Sequence, residues 1–295
     1  MREKNKTSII LTANQKGGTS KTTTTVNLAA AFARSGNRVL VVDLDPQATT
    51  TEIFGVREVA KDPKKTLAYA IRNKLPLEAI VLPTNTTNVD ILAGTSDLRK
   101  IVKEKTGEFT NDKLLKFVFE TASLHQYQVV LIDTHPSADC LLTSALNIAH
   151  YYIIPLFPEP SSSRGLLEMI EQAEEVREYS NASLTMLGCI ITKFDKRNAT
   201  HRNYEKIIRE IAEAANFHVF TNNIPISNHV QAAESACLSL LNYQPNSTVA
   251  VAYGMLAGEM LPTLKGRRIG RIHVPNTRSL AQVAGQTTIE IIDEI

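Results

Sequence analysis

The apolar run Ser8–Ala13 passes directly into Asn14-Gln15-Lys16-Gly17-Gly18-Thr19-Ser20-Lys21-Thr22 and then into a helix-patterned stretch. A buried strand that feeds a Gly-Gly turn and reaches Lys-Thr at the start of a helix constrains a chain more than its composition does. The turn offers backbone N–H groups to phosphates, and the helix aims its positive end at the same anion. Lys21 would neutralise the outer phosphates and Thr22 would hold Mg²⁺. The general pattern Gly-x-x-x-x-Gly-Lys-[Ser/Thr] is not strictly met, because Gln15 replaces its first glycine and Ser20 the glycine before Lys21. The loop also carries a spare lysine, Lys16.

Two further runs complete the pattern. Arg38-Val39-Leu40-Val41-Val42-Asp43-Leu44-Asp45-Pro46-Gln47 reads as a second buried strand whose two acids, of equal parity, fall on one side of its end. Tyr127–Thr134 is a third apolar run and ends in Asp133, the form of a strand that binds Mg²⁺ through water. In an open parallel sheet the carboxyl ends of such strands form the ligand crevice.

Taken together, these residues resemble the ParA/MinD family of deviant Walker-A ATPases, and more closely its ParA (Soj-like) partition branch. The resemblance rests on Asn14–Gly18, Lys21-Thr22-Thr23, Val42–Gln47 and Ile132-Asp133-Thr134. Later come Thr192-Lys193-Phe194-Asp195, Ile224-Pro225 and a closing helix near Ala252-Tyr253, so it spans roughly residues 7–262. It implies ATP and Mg²⁺ as cofactors, with Gly17, Gly18, Thr19, Ser20, Lys21, Thr22 and Thr23 around the phosphates and Pro225 on the adenine. Thr22, Asp43 and Asp133 are expected near the metal, and Asp45 is expected to position the attacking water. Lys16 matches the signature lysine that reaches across an ATP sandwich homodimer, the role an arginine finger has elsewhere. The implied activity is slow ATP hydrolysis, stimulated by a centromere-binding or adaptor protein, that times release from nonspecific double-stranded DNA on the nucleoid.

Length and composition agree with this. The chain has 295 residues, 43% hydrophobic and 21% charged, as in ordinary globular proteins. No apolar stretch of about 18 residues predicts a membrane span, and the charged N-terminus lacks the apolar region of a signal peptide. Cys140, Cys189 and Cys237 are odd in number and scattered, which fits a reducing cytoplasm. Strands are predicted at 8–13, 38–43, 88–92, 128–133, 151–155 and 186–192. Helices are predicted at Thr22–Ser35, Thr66–Arg72, Asn111–Ser123, Ser137–Ala149, Gly165–Tyr179 and His201–Ala215. That alternation predicts an α/β fold: a doubly wound, mostly parallel sheet with helices on both faces. Residues 1–262 are expected to form the ATPase domain, and 263–295 a basic, partly mobile C-terminal extension.

Three departures from the family pattern stand out. Ser20 adds a Cβ to a tight loop, His135 stands where relatives usually have Pro, and Ile226-Ser227 follow Pro225 where relatives often carry a DNA-contacting Arg. The expected DNA contacts are therefore Lys196, Arg197 and Arg202, from a stretch 193–209 that holds six cations against two acids. Arg267, Arg268 and Arg271 join them from the tail. Such binding would be phosphate-led and salt-sensitive. A MinD-like membrane-positioning ATPase is the main alternative, but the closing Ile289–Ile295 is acidic and anionic lipid would repel it. ParA-like positioning of a protein cargo remains a further alternative. An iron–sulfur reductase would need a second Cys upstream of Cys140, which the sequence lacks.

Overall fold

The computed structural model describes residues 7–105, 113–120 and 124–264. Ser8–Thr12 forms β1, Val39–Asp43 β2, Leu82–Pro83 β3, Val89–Leu92 β4, Val129–Asp133 β5, Tyr151–Leu156 β6 and Thr185–Ile191 β7. They pair in the order β3-β4-β2-β5-β1-β6-β7. All neighbours run parallel except β3, which is antiparallel to β4. Six strands fall where the apolar runs predict them. The unpredicted β3 has two residues and so no periodicity, and its Pro83 is tolerated because the strand is an edge.

The helices are α1 (Lys21–Arg34), α2 (Thr49–Ile53), α3 (Leu67–Asn73), α4 (Leu98–Lys105), α5 (Lys116–Glu120) and α6 (Cys140–Ile148). They continue with α7 (Ser162–Tyr179), α8 (Ala199–Ala215), α9 (His229–Ser235), α10 (Leu240–Tyr243) and α11 (Thr248–Leu264). Caps explain two of the shifted starts. Asp139 Oδ1 accepts from the Leu141 and Leu142 amides at 3.0 and 3.3 Å, so α6 begins at Cys140 rather than Ser137. Asn198 Oδ1 does the same for Thr200 and His201, and α8 begins at Ala199. The helix predicted over 111–123 is α5 alone; residues 111–112 and 121–123 lie outside the described residues. Pro262 lies within α11, which continues to Leu264. The expected extension from 265 onward, with Arg267, Arg268 and Arg271, also lies outside the described residues.

Strand alternation builds two cores. Ile9, Leu11, Leu40, Val42, Val130 and Ile132 face one layer, with side chains of α6, α7 and α8. Ile10, Val39, Val41, Val129, Leu131 and Ile153 face the other, under α1, α10 and α11. Every residue of β1, β2 and β5 is buried, as a sheet covered on both faces requires. Each fully buried Leu or Ile there contributes about 1.5–3 kcal/mol. The central order β2-β5-β1 has a functional consequence, since register sets Asp43 beside Asp133 and Thr12 beside Asp133. The carboxyl ends of three strands thus meet beside the loop that follows β1.

Candidate active site

Residues 13–20 join β1 to α1 and are held from outside by side chains. Asn14 donates to the Pro155 carbonyl at 2.8 Å and accepts from the Lys16 amide at 2.9 Å. Thr192 Oγ1 bonds the Thr19 carbonyl at 3.2 Å, and Lys193 Nζ the Gly18 carbonyl at 2.9 Å. A trans peptide points its N–H opposite its C=O, so these bonds also fix the directions of the Thr19 and Ser20 amides. Lys21 is 6% exposed, and its Nζ donates to the Lys16 carbonyl at 2.9 Å. Burial lowers its pKa to about 8 against the opposing charges of Asp133 and Asp45. A buried ammonium bonded to a backbone carbonyl is poised to take an anion in its place.

Ser20 lies at φ 69° and ψ 31°, and its hydroxyl makes no cap bond to α1. The left-handed conformation costs a residue with a Cβ roughly 1 kcal/mol. Ser20→Gly should relieve that strain, partly offset by glycine's greater freedom in the unfolded chain. The expected melting temperature rises by about 1–3 °C in thermal unfolding. A fall instead would mean that the hydroxyl makes a stabilising contact.

Four successive threonines open α1, a poor choice by helix propensity, and each finds a partner. Thr22 Oγ1 donates to Asp133 Oδ2 at 2.8 Å, and Thr25 Oγ1 to Asp133 Oδ1 at 3.4 Å. Thr23 bonds Glu234 at 3.0 Å, and Thr24 meets the Tyr253 hydroxyl at 3.2 Å. Asp133 also accepts from Thr50 Oγ1 at 2.7 Å. Burial raises its pKa to about 6, and the Thr50 and Thr22 bonds restrain the rise. Hydroxyl and carboxylate oxygens are the donors that Mg²⁺ takes when phosphates and water complete its shell, so Thr22 and Asp133 fit that ion.

The two acids after β2 separate in role. Asp43 is fully buried, and its Oδ2 accepts from the Thr51 amide at 2.8 Å and the Thr51 hydroxyl at 2.7 Å. Its Oδ1 accepts from the Asp45 amide at 3.1 Å. Burial, then the charge of Asp133, raises its pKa to about 7. Gly94 packs so closely that an added Cβ would lie 2.7 Å from the Asp43 carbonyl oxygen. Asp43 therefore shapes the segment 44–51 and does not itself line the cleft, whereas Asp45 does.

The cleft has two halves. A space of about 240 Å³ is bordered by residues 17–23 together with Asp45, Thr134, Pro136 and Lys193. A second space of about 320 Å³ shares Ser20, Thr23 and Lys193 with the first and is walled by Pro225, Tyr253 and Glu234. Pro225 borders this second space and not the first. Lys16 goes elsewhere: its ammonium contacts Glu159 and Ser161 at the start of α7 and does not line either half. His135 Nε2 bonds Asp139 Oδ2 at 2.8 Å, and that bond raises its pKa.

Sequence reading does not single out Thr50, Thr51 or Glu159, and it marks Thr192 and Lys193 only as part of a family-like motif, without their bonds to the phosphate loop. The run Thr49-Thr50-Thr51 just after the paired acids was the one available signal for hydroxyl donors. The basic stretch 193–209 is also thinner than its charge count. Lys193 turns to the phosphate loop, and Arg209 is drawn to Glu205 at 3.1 Å and Asn223 at 3.3 Å. Lys196, Arg197 and Arg202 stay exposed. The Arg197 side chain is 84% exposed and rests against Asp195 at 3.1 Å. Arg202 donates to the Lys196 carbonyl at 2.9 Å.

A parallel sheet with a lysine–threonine phosphate loop after its central strand and a buried Mg²⁺-type acid beside it defines a P-loop nucleoside triphosphatase fold. A family model described as an AAA domain matches residues 7–186. The chain is also 34% identical over 254 residues to the chromosome-partitioning ATPase Soj of Thermus thermophilus, covering 85% of this chain and 94% of that protein. It belongs to the ParA/MinD family of P-loop ATPases, in the ParA/Soj partition group. The chromosome partitioning protein ParA of Caulobacter vibrioides is 28% identical over 261 residues, covering 88% of this chain and 96% of that one. The fold superposes on the crystal structure of cobyrinic acid a,c-diamide synthase from Mycobacterium smegmatis with bound ADP and magnesium. The TM-score is 0.76 at 27% identity, over 92% of this chain and 100% of that one.

Proposed function

We propose that the chain is a partition ATPase whose ATP-bound homodimer holds nonspecific double-stranded DNA and lets go after hydrolysis. The observation that carries this reading is the division of labour among its charged side chains. Lys21, Thr22 and Asp45 border one cleft, Asp133 lies directly behind Thr22, and Lys16 stands outside at the rim. ATP would lie with its triphosphate in the loop half and its adenine against Pro225. Thr22, backed by Asp133, would hold Mg²⁺, which would supply positive charge against the phosphates. Asp45 would orient the attacking water. Lys16 would reach the phosphates of the facing subunit, so that only the dimer is complete.

Support for DNA comes from the exposed Lys196, Arg197 and Arg202 at the start of α8 and from the partition roles in the relatives' names. An adaptor or centromere-binding protein would trigger hydrolysis, and the site of action would be the nucleoid. Among the described residues no helix is long and apolar enough to cross a membrane.

The test is binding to a random-sequence duplex at low salt with ATP present. Arg197→Glu is expected to weaken binding about tenfold and to lower the salt dependence by about one counterion, with dimerisation unchanged. Equal affinity for the variant would remove Arg197, in the turn before α8, from the DNA surface. No ATP-dependent DNA binding by the natural chain would sink the reading.

A further inference from the structure

Between Thr192 and Ile207 the chain carries the exposed cations Lys196, Arg197 and Arg202, and among residues 193–206 His201 alone is buried. A core-facing helix position of this kind ordinarily takes an aliphatic side chain. The imidazole does something an aliphatic group could not: its Nδ1 accepts from the Asp195 amide at 3.0 Å. Asp195 in turn holds Arg197. Its Oδ1 accepts from the Arg197 amide at 3.0 Å and from Nε at 3.1 Å, and its Oδ2 accepts from the guanidinium at 3.2 Å. The turn that presents Arg197 thus leans on one buried ring nitrogen.

The same ring is clasped from a different part of the chain. Phe157, just after β6, meets it edge-on with centroids 5.2 Å apart, and Phe194 lies tilted at 6.3 Å. Such contacts are attractive and depend on orientation. Phe157 opens the segment Phe157-Pro158-Glu159-Pro160-Ser161, whose Glu159 and Ser161 engage the Lys16 ammonium. Two prolines fix φ within it. The buried Ser162 closes the turn, its Oγ donating to the Phe157 carbonyl and accepting from the Glu159 amide at 3.4 Å. One stiff segment therefore carries both the partner of Lys16 and the ring that packs on His201.

We infer that His201 is a positioning residue that couples the Lys16–Glu159 engagement to the placement of Arg197. When Lys16 leaves for the phosphates of a facing subunit, Glu159 loses its cation and the stiff segment shifts. Phe157 then moves against the imidazole that holds the Asp195 turn. The inference rests on the proposed dimer and DNA readings and names the residue through which one is felt at the other. It also accounts for a histidine at a core position of α8: leucine would fill the space but offer the Asp195 amide no acceptor.

Two measurements on the full chain with a nonhydrolysable ATP analogue and Mg²⁺ test this. One is affinity for a random-sequence duplex at low salt, the other hydrogen–deuterium exchange over residues 194–200. Exchange there should change at least about twofold when the analogue is added to the natural chain, and Glu159→Gln should reproduce part of that change without nucleotide. His201→Phe keeps a ring but no acceptor, and should weaken DNA binding about three- to tenfold with dimerisation within about twofold. His201→Asn keeps an acceptor and loses the ring contacts. Its DNA affinity should return to within about twofold of the natural chain, while the analogue no longer alters exchange over 194–200. A purely structural histidine would give DNA affinities that fall together in both variants, or in neither, and either result would overturn the inference. A natural chain that dimerises but binds no DNA would sink the DNA reading alone, because the exchange response and its loss in His201→Asn still decide the role of His201. A natural chain that does not dimerise would sink the dimer reading, and the response to Glu159→Gln would decide in its place.

Discussion

Asp45→Ala is expected to slow ATP hydrolysis at least 100-fold while ATP affinity stays within about threefold of the natural chain. The magnitude follows from what the group can contribute. Phosphoryl transfer is loose, so a carboxylate here acts by orienting water and by its charge, and removing such a positioned group costs a few orders of magnitude in turnover. The selectivity follows from how the residue is held. Asp45 contacts its own segment through backbone: its amide donates to Asp43 at 3.1 Å, and its Oδ1 accepts from the Gln47 amide at 2.8 Å. Truncation loses that local turn bond, about 1 kcal/mol, and leaves the Thr51–Asp43 bonds intact. Phosphate release and ATP titration measured on one preparation would decide it. Turnover within tenfold of the natural chain would remove Asp45 from the water-positioning role. The dimer should also persist longer in this variant, because the step that ends it is blocked.

The contrast between Asp43 and Asp45 marks where the sequence stops being informative. Their equal parity predicts one side for both, but β2 ends at Asp43 and only Asp45 borders the cleft. The apolar runs do locate β1, β2 and β5, the strands that are central in the sheet. What the sequence does not contain is which acid is spoken for. Asp43 is taken by Thr51 through an amide and a hydroxyl, donors supplied by a helix of five residues too short to leave a periodic signature. Lys193 is the same problem in reverse. Counted as charge it belongs to a basic surface, but a single left-handed residue redirects it into the cleft. Ser20 shows the opposite case. The pattern itself flags it, since glycine is the expected residue there, and the structure gives the reason in its φ of 69°. Strand runs and loop order are long-range, repetitive signals and are legible. Side-chain destinations depend on one torsion or one donor, and are not.

Lys16→Ala is expected to abolish the ATP-dependent dimer and to lower turnover at least tenfold, while ATP affinity of the single chain falls less than about threefold. The reasoning starts from where the side chain lies. Lys16 does not border its own cleft, so its loss removes no direct contact from ATP bound to one chain. Its ammonium is engaged by Glu159 and Ser161, and any reach toward a facing subunit must first break that engagement. Both partners are about one-third exposed, 30% for Lys16 and 32% for Glu159, and exposed pairs contribute roughly 0–1 kcal/mol. Glu159→Gln should therefore favour the ATP dimer by no more than about fivefold, in the direction opposite to Lys16→Ala. Light scattering with a nonhydrolysable ATP analogue reads both. A Lys16→Ala protein that dimerises like the natural chain would show that the lysine serves its own loop and not a partner's phosphates. With ATP itself, an Asp45→Ala background serves the same end, since neither variant's dimer is then lost to hydrolysis. There the order of dimer stability should run Glu159→Gln, then unsubstituted at 16 and 159, then Lys16→Ala.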